Sequence, residues 1–338
     1  MPAAQPPAAL FAMNPAHLPQ LFPSRQMARL RELAHIDPGL VVRDFADPSV
    51  AAVLATTEVL ITGWGCPPID ADALRAAPRL RAVLHAAGSV RHMVGDAFWE
   101  RGITVSSAAG ANALPVAEYT LAAILFAGKD AFRLRERVRA GRTFPDPTTA
   151  YPKLGNLGRR VGLIGASRVG RRVLDLLRPF DLEVALHDPH VADPEARALG
   201  AEPLPLDELL RTCDIVSLHA PDIPETYRML DRARLAMIPD GGVLINTSRG
   251  ALIDPRALTD ELVSGRIAAV LDVTEPEPLP ADSALLDLPN VFVTPHIAGS
   301  LGNELERLGR TVVEELERLT GDGPLAHQVH RAELAISA

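Results

Sequence analysis

Residues Arg160–Leu177, RVGLIGASRVGRRVLDLL, decide the fold class. VGLIG (Val161–Gly165) is a short apolar run ending in glycine, and Gly170 follows within what reads as the first turn of a helix. A nucleotide phosphate loop needs this order: a strand, a sharp turn, then helix N-terminal amides facing a pyrophosphate. Gly165, Ser167, Arg168, Val169 and Gly170 are its candidate cofactor-binding residues. The pattern departs from G-x-G-x-x-G at one place. Ser167 stands where a middle glycine normally allows close backbone approach, although a serine hydroxyl can donate to a phosphate oxygen. Eighteen residues beyond Gly170, LEVALHD ends in Asp188, where an acid closing a second strand meets the ribose hydroxyls. Pro189 and His190 follow, with no Arg or Lys to pair with a 2′-phosphate, so NAD is predicted over NADP. The alternative for Asp188 is an acidic turn residue before proline.

Working outward, the β and α patterns continue through a helix near PLDELLRT, the strands CDIVSLHA and GGVLINTS, a helix from Asp254, AAVLDV and VFVTPHIAG. An upstream series starts near residue 39 with LVVRDF (Leu40–Phe45) and runs through AAVLATTEVLITG, helical DADALRAA, LRAVLHAAG and ITVSSA (Ile103–Ala108). Such alternation predicts an α/β fold of parallel strands with crossover helices. AAGANALP (Ala108–Pro115) reads as a break, and PVAEYTLAAILFAG as a helix with Pro115 near its start. That helix is apolar nearly all round, which predicts burial on more than one side. Its small residues Ala117, Ala122 and Ala123 permit close approach, so it is the expected interface of a homodimer. RLRERVRAGR reads as a solvated helix face. The last helix, from about Ser300 to Thr320, places Leu301, Leu305, Leu308, Val312, Leu316 and Leu319 on one apolar stripe.

A length of 338 residues suggests about two domains. The 47% hydrophobic and 22% charged fractions exclude disorder throughout. The net charge of −8 argues against a nucleic-acid partner, which needs a cationic surface. Cys66 and Cys213 form neither a disulfide framework nor a C-x-x-C pattern, so a cytoplasmic location is expected. The first basic residue is Arg25 and the start is interrupted by proline, so no targeting segment is expected. The longest apolar runs, such as Leu121–Gly128, fall short of the roughly 20 residues of a membrane span, and no membrane partner is expected.

Three more stretches carry chemistry. LINTSRG (Leu244–Gly250) sets Arg249 just past a strand, LDVTEPEP (Leu271–Pro278) sets Asp272 at a strand end and Glu277 in a proline-stiffened loop, and VTPHIAG (Val293–Gly299) sets His296 after another strand. In a doubly wound sheet, such strand ends converge on the ligand crevice. Taken singly, each has a plain alternative: a surface ion pair for Arg249, a core histidine for His296, a loop charge for Glu277.

With SAAGANALPVAEYTLA and HAPDIPETY in support, the ordered segments LINTSRG, LDVTEPEP and TPHIAG resemble the D-isomer-specific 2-hydroxyacid dehydrogenase family over about residues 40–320. The resemblance implies two Rossmann-like domains with parallel sheets. A cofactor domain, residues 113–298, would be inserted into a substrate domain made of 1–112 and 299–338. It implies that Arg249 binds the substrate, that His296 is the acid/base and that Glu277 pairs with it. It adds Thr226, Thr247, Asp272 and Gly299 to the cofactor-binding set and gives Gly88 and Ser89 the substrate carboxylate.

The chemistry fits these residue types. A guanidinium binds carboxylate and ketone oxygens in a fork that lysine cannot match. Hydride from NADH leaves an alkoxide that needs a proton, which histidine supplies reversibly near neutral pH. The expected partner is a 2-oxo/2-hydroxy acid.

One departure stands out. Where the family commonly reads close to AGVGVDNID, this chain has AAGSVRHMV (Ala86–Val94), with Arg91 in place of the aspartate and an added imidazole, His92. Both are either surface residues or extra positive charge for a second anionic group on the substrate. Trp64, in TGWGCPP, either walls the same cleft or packs. Glyoxylate, hydroxypyruvate, another 2-oxo acid and 3-phosphohydroxypyruvate all stay open. Residues after 320 are too few for an added regulatory domain, which points away from the longer, serine-regulated phosphoglycerate dehydrogenases. Formate-type and phosphite-type dehydrogenases are related alternatives without further resemblance. An NAD-sensing, corepressor-like binding protein is the alternative of a different class.

Overall fold

The computed structural model describes residues 5–142, 144, 146–150 and 154–334; the first four residues of the proline-rich start lie outside them. The chain divides into two compact units. One is made of Met1–Asn112 and Ser300–Ile336, the other of Ala113–Gly299.

The first unit holds a five-stranded parallel sheet in the order β2-β1-β3-β4-β5. Its strands are β1 (Ala9–Ala12), β2 (Val41–Val42), β3 (Val59–Thr62), β4 (Ala82–His85) and β5 (Thr104–Ser107). β1 corrects the expectation that the upstream series starts near residue 39. ALFA is buried at every position, with Leu10 and Ala12 in one core cluster and Phe11 in another. A strand buried on both faces carries no alternation, and this one is four residues long between prolines. LVVRDF, conversely, pairs only through Val41–Val42, against β1.

The closing helix of this unit also begins later than the periodicity implies. A short 3₁₀ turn, Gly302–Glu304, precedes the α-helix Leu305–Thr320, and Glu304 accepts the Leu301 amide at 3.0 Å. Leu301 is therefore outside the stripe and half exposed, while Leu305, Leu308, Val312 and Leu316 enter the core with Phe11 and Leu21. Glu315, fully buried on the same helix, accepts the amides of Ala326 and His327 and an Arg318 N–H. That carboxylate pins the tail, which then bonds to β5 (Ser107 N to His327 O and Val329 N to Val105 O).

The second unit holds a seven-stranded parallel sheet in the order β12-β11-β10-β9-β6-β7-β8. The strands are β6 (Arg159–Ile164), β7 (Leu182–His187), β8 (Glu202–Pro203), β9 (Ile215–Leu218), β10 (Val243–Asn246), β11 (Ala268–Leu271) and β12 (Val291–Val293). The chain proceeds from β6 to β8 in one direction, then returns to pair β9 on the other side of β6. The switch point thus lies at the carboxyl ends of β6 and β9, where ligands of such sheets bind.

No break occurs at Ala108–Pro115. A single helix runs from Ala109 to Gly128 with Pro115 as its seventh residue. Proline removes only the bond to the Ala111 carbonyl, and burial of Ala113, Pro115, Val116 and Ala117 offsets that loss. The helix is also not buried all round: most of its buried residues, Ala113, Val116, Ala117, Thr120, Ala123, Ile124 and Ala127, follow helical spacing, with Pro115 and Gly128 buried besides. By length and composition it is apolar enough to cross a bilayer, at a mean hydropathy of 1.3, contrary to the expectation from shorter runs. Its stripe packs in the core of the second unit against Val161, Leu163 and Val173.

Each unit buries a neutral histidine. His85 shares a 2.9 Å bond with Thr62 Oγ1, and burial, with His92 adding a smaller effect, pushes it down to about 3. His219 shares a 2.9 Å bond with Ser217 Oγ, and burial pushes it down to about 3. In the unfolded chain both would titrate near 6.5. Between these values the unfolded state binds more protons, so stability is full above the unfolded pKa and drains away as pH falls toward 3. We expect a loss of about 2 kcal/mol per histidine between pH 7.5 and 5. Urea unfolding at the two pH values checks this, and an unchanged pH slope in His219→Asn would mean that the residue is not buried as a neutral ring.

Candidate active site

The loop after β6 is shaped by two glycines that nothing larger can replace. Gly165 has φ +99°, and a Cβ there would lie 2.6 Å from the Ala220 amide nitrogen. A Cβ on Gly170 would lie 2.1 Å from the Gly165 carbonyl oxygen. Strand, turn and the helix Arg168–Leu177 are therefore as close as a pyrophosphate cradle requires. Ser167 caps this helix by accepting the Gly170 amide at 3.4 Å, which leaves its O–H free to donate. Asp188 follows β7 and accepts the amides of Ala166 at 2.6 Å and His190 at 2.8 Å. Its carboxylate is held beside the phosphate loop, where it can accept from ribose hydroxyls and repels a 2′-phosphate. Arg168 and Val169 form the first turn of the helix.

Arg249 lies past β10 in a loop fastened from below. Fully buried Asn246 donates to the Arg249 carbonyl at 2.8 Å and accepts the Ser248 amide at 3.0 Å, while Ser248 Oγ donates to Ala220 O at 2.8 Å. One Arg249 nitrogen donates to the Ser248 carbonyl at 2.6 Å, which orients the half-buried guanidinium. A Cβ on Gly250 would lie 2.2 Å from Thr274 C and O, so this loop packs directly on the strand end leading to Glu277.

Glu277 and His296 meet: His296 Nδ1 and Glu277 Oε1 are 2.7 Å apart, and both side chains are partly exposed. A carboxylate only accepts, so Nδ1 carries the proton and Nε2 is the ring nitrogen that could meet a ligand. His296 has φ +55°, a left-handed conformation that a β-carbon disfavours. Asp272, 2% exposed, holds that turn. Its oxygens accept Thr294 Oγ1 at 2.6 Å, the Ile297 amide at 2.8 Å and the Ala298 amide at 2.9 Å, and its carbonyl accepts the His296 amide. Asp272, assigned to the cofactor on the resemblance, is thus a clamp on the histidine turn.

The remaining candidates are distributed as follows. Thr226 closes its own loop, donating to Pro221 O at 2.5 Å and accepting the Ile223 amide at 3.1 Å. Thr247 is buried beside Thr120, and Gly299 ends the second unit. Gly88 and Ser89 lie in the first unit after β4, half-buried, with Ser89 Oγ accepting the Arg91 amide. Arg91 donates to the Leu334 carbonyl, and His92 sets its ring edge-on to buried His85 at 6.4 Å. Trp64 packs edge-on against His17 at 5.6 Å. Asn246, Tyr119 and Thr294 were missed by sequence reasoning. Thr294 stands inside the TPHIAG segment and Tyr119 inside SAAGANALPVAEYTLA, both already singled out, but nothing in either segment gives the side chain a role before the fold is known.

The NAD binding domain of the D-isomer specific 2-hydroxyacid dehydrogenases matches residues 121–298, more than half of the chain. This chain belongs to that family. D-3-phosphoglycerate dehydrogenase of Mycobacterium bovis is 34% identical over 80% of this chain and 50% of its own length. Glyoxylate reductase of Korarchaeum cryptofilum is 31% identical over 87% of this chain and 89% of its own. Among solved structures, the TT0316 protein of Thermus thermophilus superposes with a TM-score of 0.78 at 30% identity, covering 96% of this chain and 100% of that one. The chain spans about half the length of the phosphoglycerate dehydrogenases it matches. As in the family, the second unit is an NAD-binding domain, and the tight Gly165–Gly170 turn, the free hydroxyl of Ser167 and Asp188 suit that cofactor.

Proposed function

We propose that this chain is an NAD-dependent 2-oxo acid reductase, interconverting 2-oxo acids and D-2-hydroxy acids, with substrates of the glyoxylate or hydroxypyruvate kind. The observation that carries this reading is the 2.7 Å His296–Glu277 bond in a turn fastened by buried Asp272. Bound NADH supplies the hydride. Arg249 engages the carboxylate and carbonyl oxygens of the substrate through its fork. His296 delivers the Nε2 proton to the oxygen of the reduced carbonyl, and Glu277 stabilises the imidazolium and fixes its tautomer. In oxidation the neutral ring takes the hydroxyl proton back. The glyoxylate reductase relative, matched over most of both chains, supports the small-substrate reading.

NADH oxidation followed with glyoxylate, hydroxypyruvate, pyruvate and 3-phosphohydroxypyruvate tests it. Turnover of at least one is expected. Tight NADH binding with no turnover would point instead to an NAD-sensing binding protein.

The proposal extends to a cytoplasmic homodimer. Of the three small residues first assigned to the interface, Ala117 and Ala123 are buried in their own unit and only Ala122 is exposed. The outer face of the Ala109–Gly128 helix offers Phe126 instead, 54% exposed. It meets Phe132 edge-on, and Phe132 stacks on exposed Phe292. An exposed aromatic row of this kind suits association. Sedimentation at micromolar concentration is expected to give a dimer that Phe126→Glu weakens; a monomer under these conditions removes the proposal.

A further inference from the structure

Two consecutive residues of the Ala109–Gly128 helix reach the loops of Arg249 and His296. Tyr119 Oη lies 2.7 Å from Thr294 Oγ1, and Thr294 Oγ1 lies 2.6 Å from Asp272 Oδ1. The direction of this chain is settled by its end. Asp272 accepts, so Thr294 gives it its only proton and Tyr119 donates to Thr294. Burial, more than the opposing Thr294 bond, raises the pKa of Tyr119, so its phenol stays protonated and able to donate.

The neighbouring hydroxyl is wired likewise. Thr120, fully buried, donates to the Val116 carbonyl at 2.8 Å, so Thr247, 2.9 Å away, donates to Thr120. Thr247 precedes Arg249 by two residues, and Thr294 precedes His296 by two.

We propose that Tyr119 and Thr120 are a positioning pair: adjacent hydroxyls on one helix that set the substrate-binding arginine and the proton-transferring histidine independently of each other. The inference rests on the roles proposed above for Arg249 and His296. Tyr119 acts through Thr294 and Asp272 on the left-handed turn at His296, and therefore on proton transfer. Thr120 acts through Thr247 on the Arg249 loop, and therefore on substrate affinity. A single rigid helix holding both loops keeps the separation between fork and imidazole constant, as two groups acting on one small molecule require.

The test uses the full chain with Tyr119→Phe, Thr120→Val and Thr120→Ser. With the best 2-oxo acid, Tyr119→Phe is expected to lower kcat about tenfold at an unchanged KM, the effect of one lost, partly buried hydrogen bond. Thr120→Val is expected to raise KM for the oxo acid about tenfold at an unchanged kcat, and Thr120→Ser to restore it. Hydrogen exchange of the cofactor-free protein gives a second readout that needs no substrate. Tyr119→Phe should speed exchange at Ile297 and Ala298, and Thr120→Val at Ser248. Equal changes in kcat and KM in both variants, exchange rising uniformly through the second unit, or wild-type behaviour in either variant overturns the proposal. Failure of the parent reading is separate: it appears as absent turnover or as full activity after removal of His296, with the exchange pattern still informative.

Discussion

Replacing His296 with alanine lowers kcat/KM for 2-oxo acid reduction by about 10²–10⁴-fold, the range for loss of a positioned general acid, while NADH affinity holds. The expectation follows from the assignment of protons at the site. Glu277 occupies Nδ1, so Nε2 is the one nitrogen available to a substrate oxygen, on a turn that Asp272 fastens. Glu277→Gln is the milder change, because the amide oxygen still accepts from Nδ1–H although the negative charge is gone. Steady-state kinetics on the two variants, with NADH binding followed by fluorescence, checks the order. A His296→Ala enzyme within threefold of wild type assigns proton transfer elsewhere.

Arg249→Lys lowers kcat/KM by about 10–100-fold, the effect of losing one prong of a charge-assisted fork. The wild-type side chain already spends one N–H on the Ser248 carbonyl and has the others for a ligand. An ammonium that reaches the same carbonyl has no planar second edge to offer, so orientation is lost along with affinity. The measurement is again kcat/KM against the best substrate, and near-native values in this variant place the substrate carboxylate on another residue.

The parallel-sheet character of both units was legible because each βα step leaves an apolar run and a punctuating Gly or Pro. The strand-end motifs were legible for the same reason. LINTSRG and LDVTEPEP each join a buried strand to a loop, TPHIAG follows the half-exposed edge strand β12, and the loops bring Glu277 and His296 within one hydrogen bond. What escaped was structure without a local period. β1 is four buried residues between prolines, and its place beside β2 and β3 depends on partners that follow it in the chain. Pro115 reads as a boundary because proline opposes helices locally, yet tertiary burial carries the Ala109–Gly128 helix past it. The clamp role of Asp272 was invisible too, since its three donors come from residues 22 to 26 positions away.

The discontinuity of the first unit sets an order of events at the ribosome. Phe11, Leu21 and Leu30 need Leu305, Leu308, Val312 and Leu316 to complete their cluster. Those partners emerge only after the whole of Ala113–Gly299 has been made. At about 5–20 residues per second, that delay is roughly 10–40 s. The second unit, contiguous in sequence, has every partner for its own core and can close first. The amino-terminal strands wait through that interval with one face uncovered, which makes them the part of the nascent chain most in need of a chaperone.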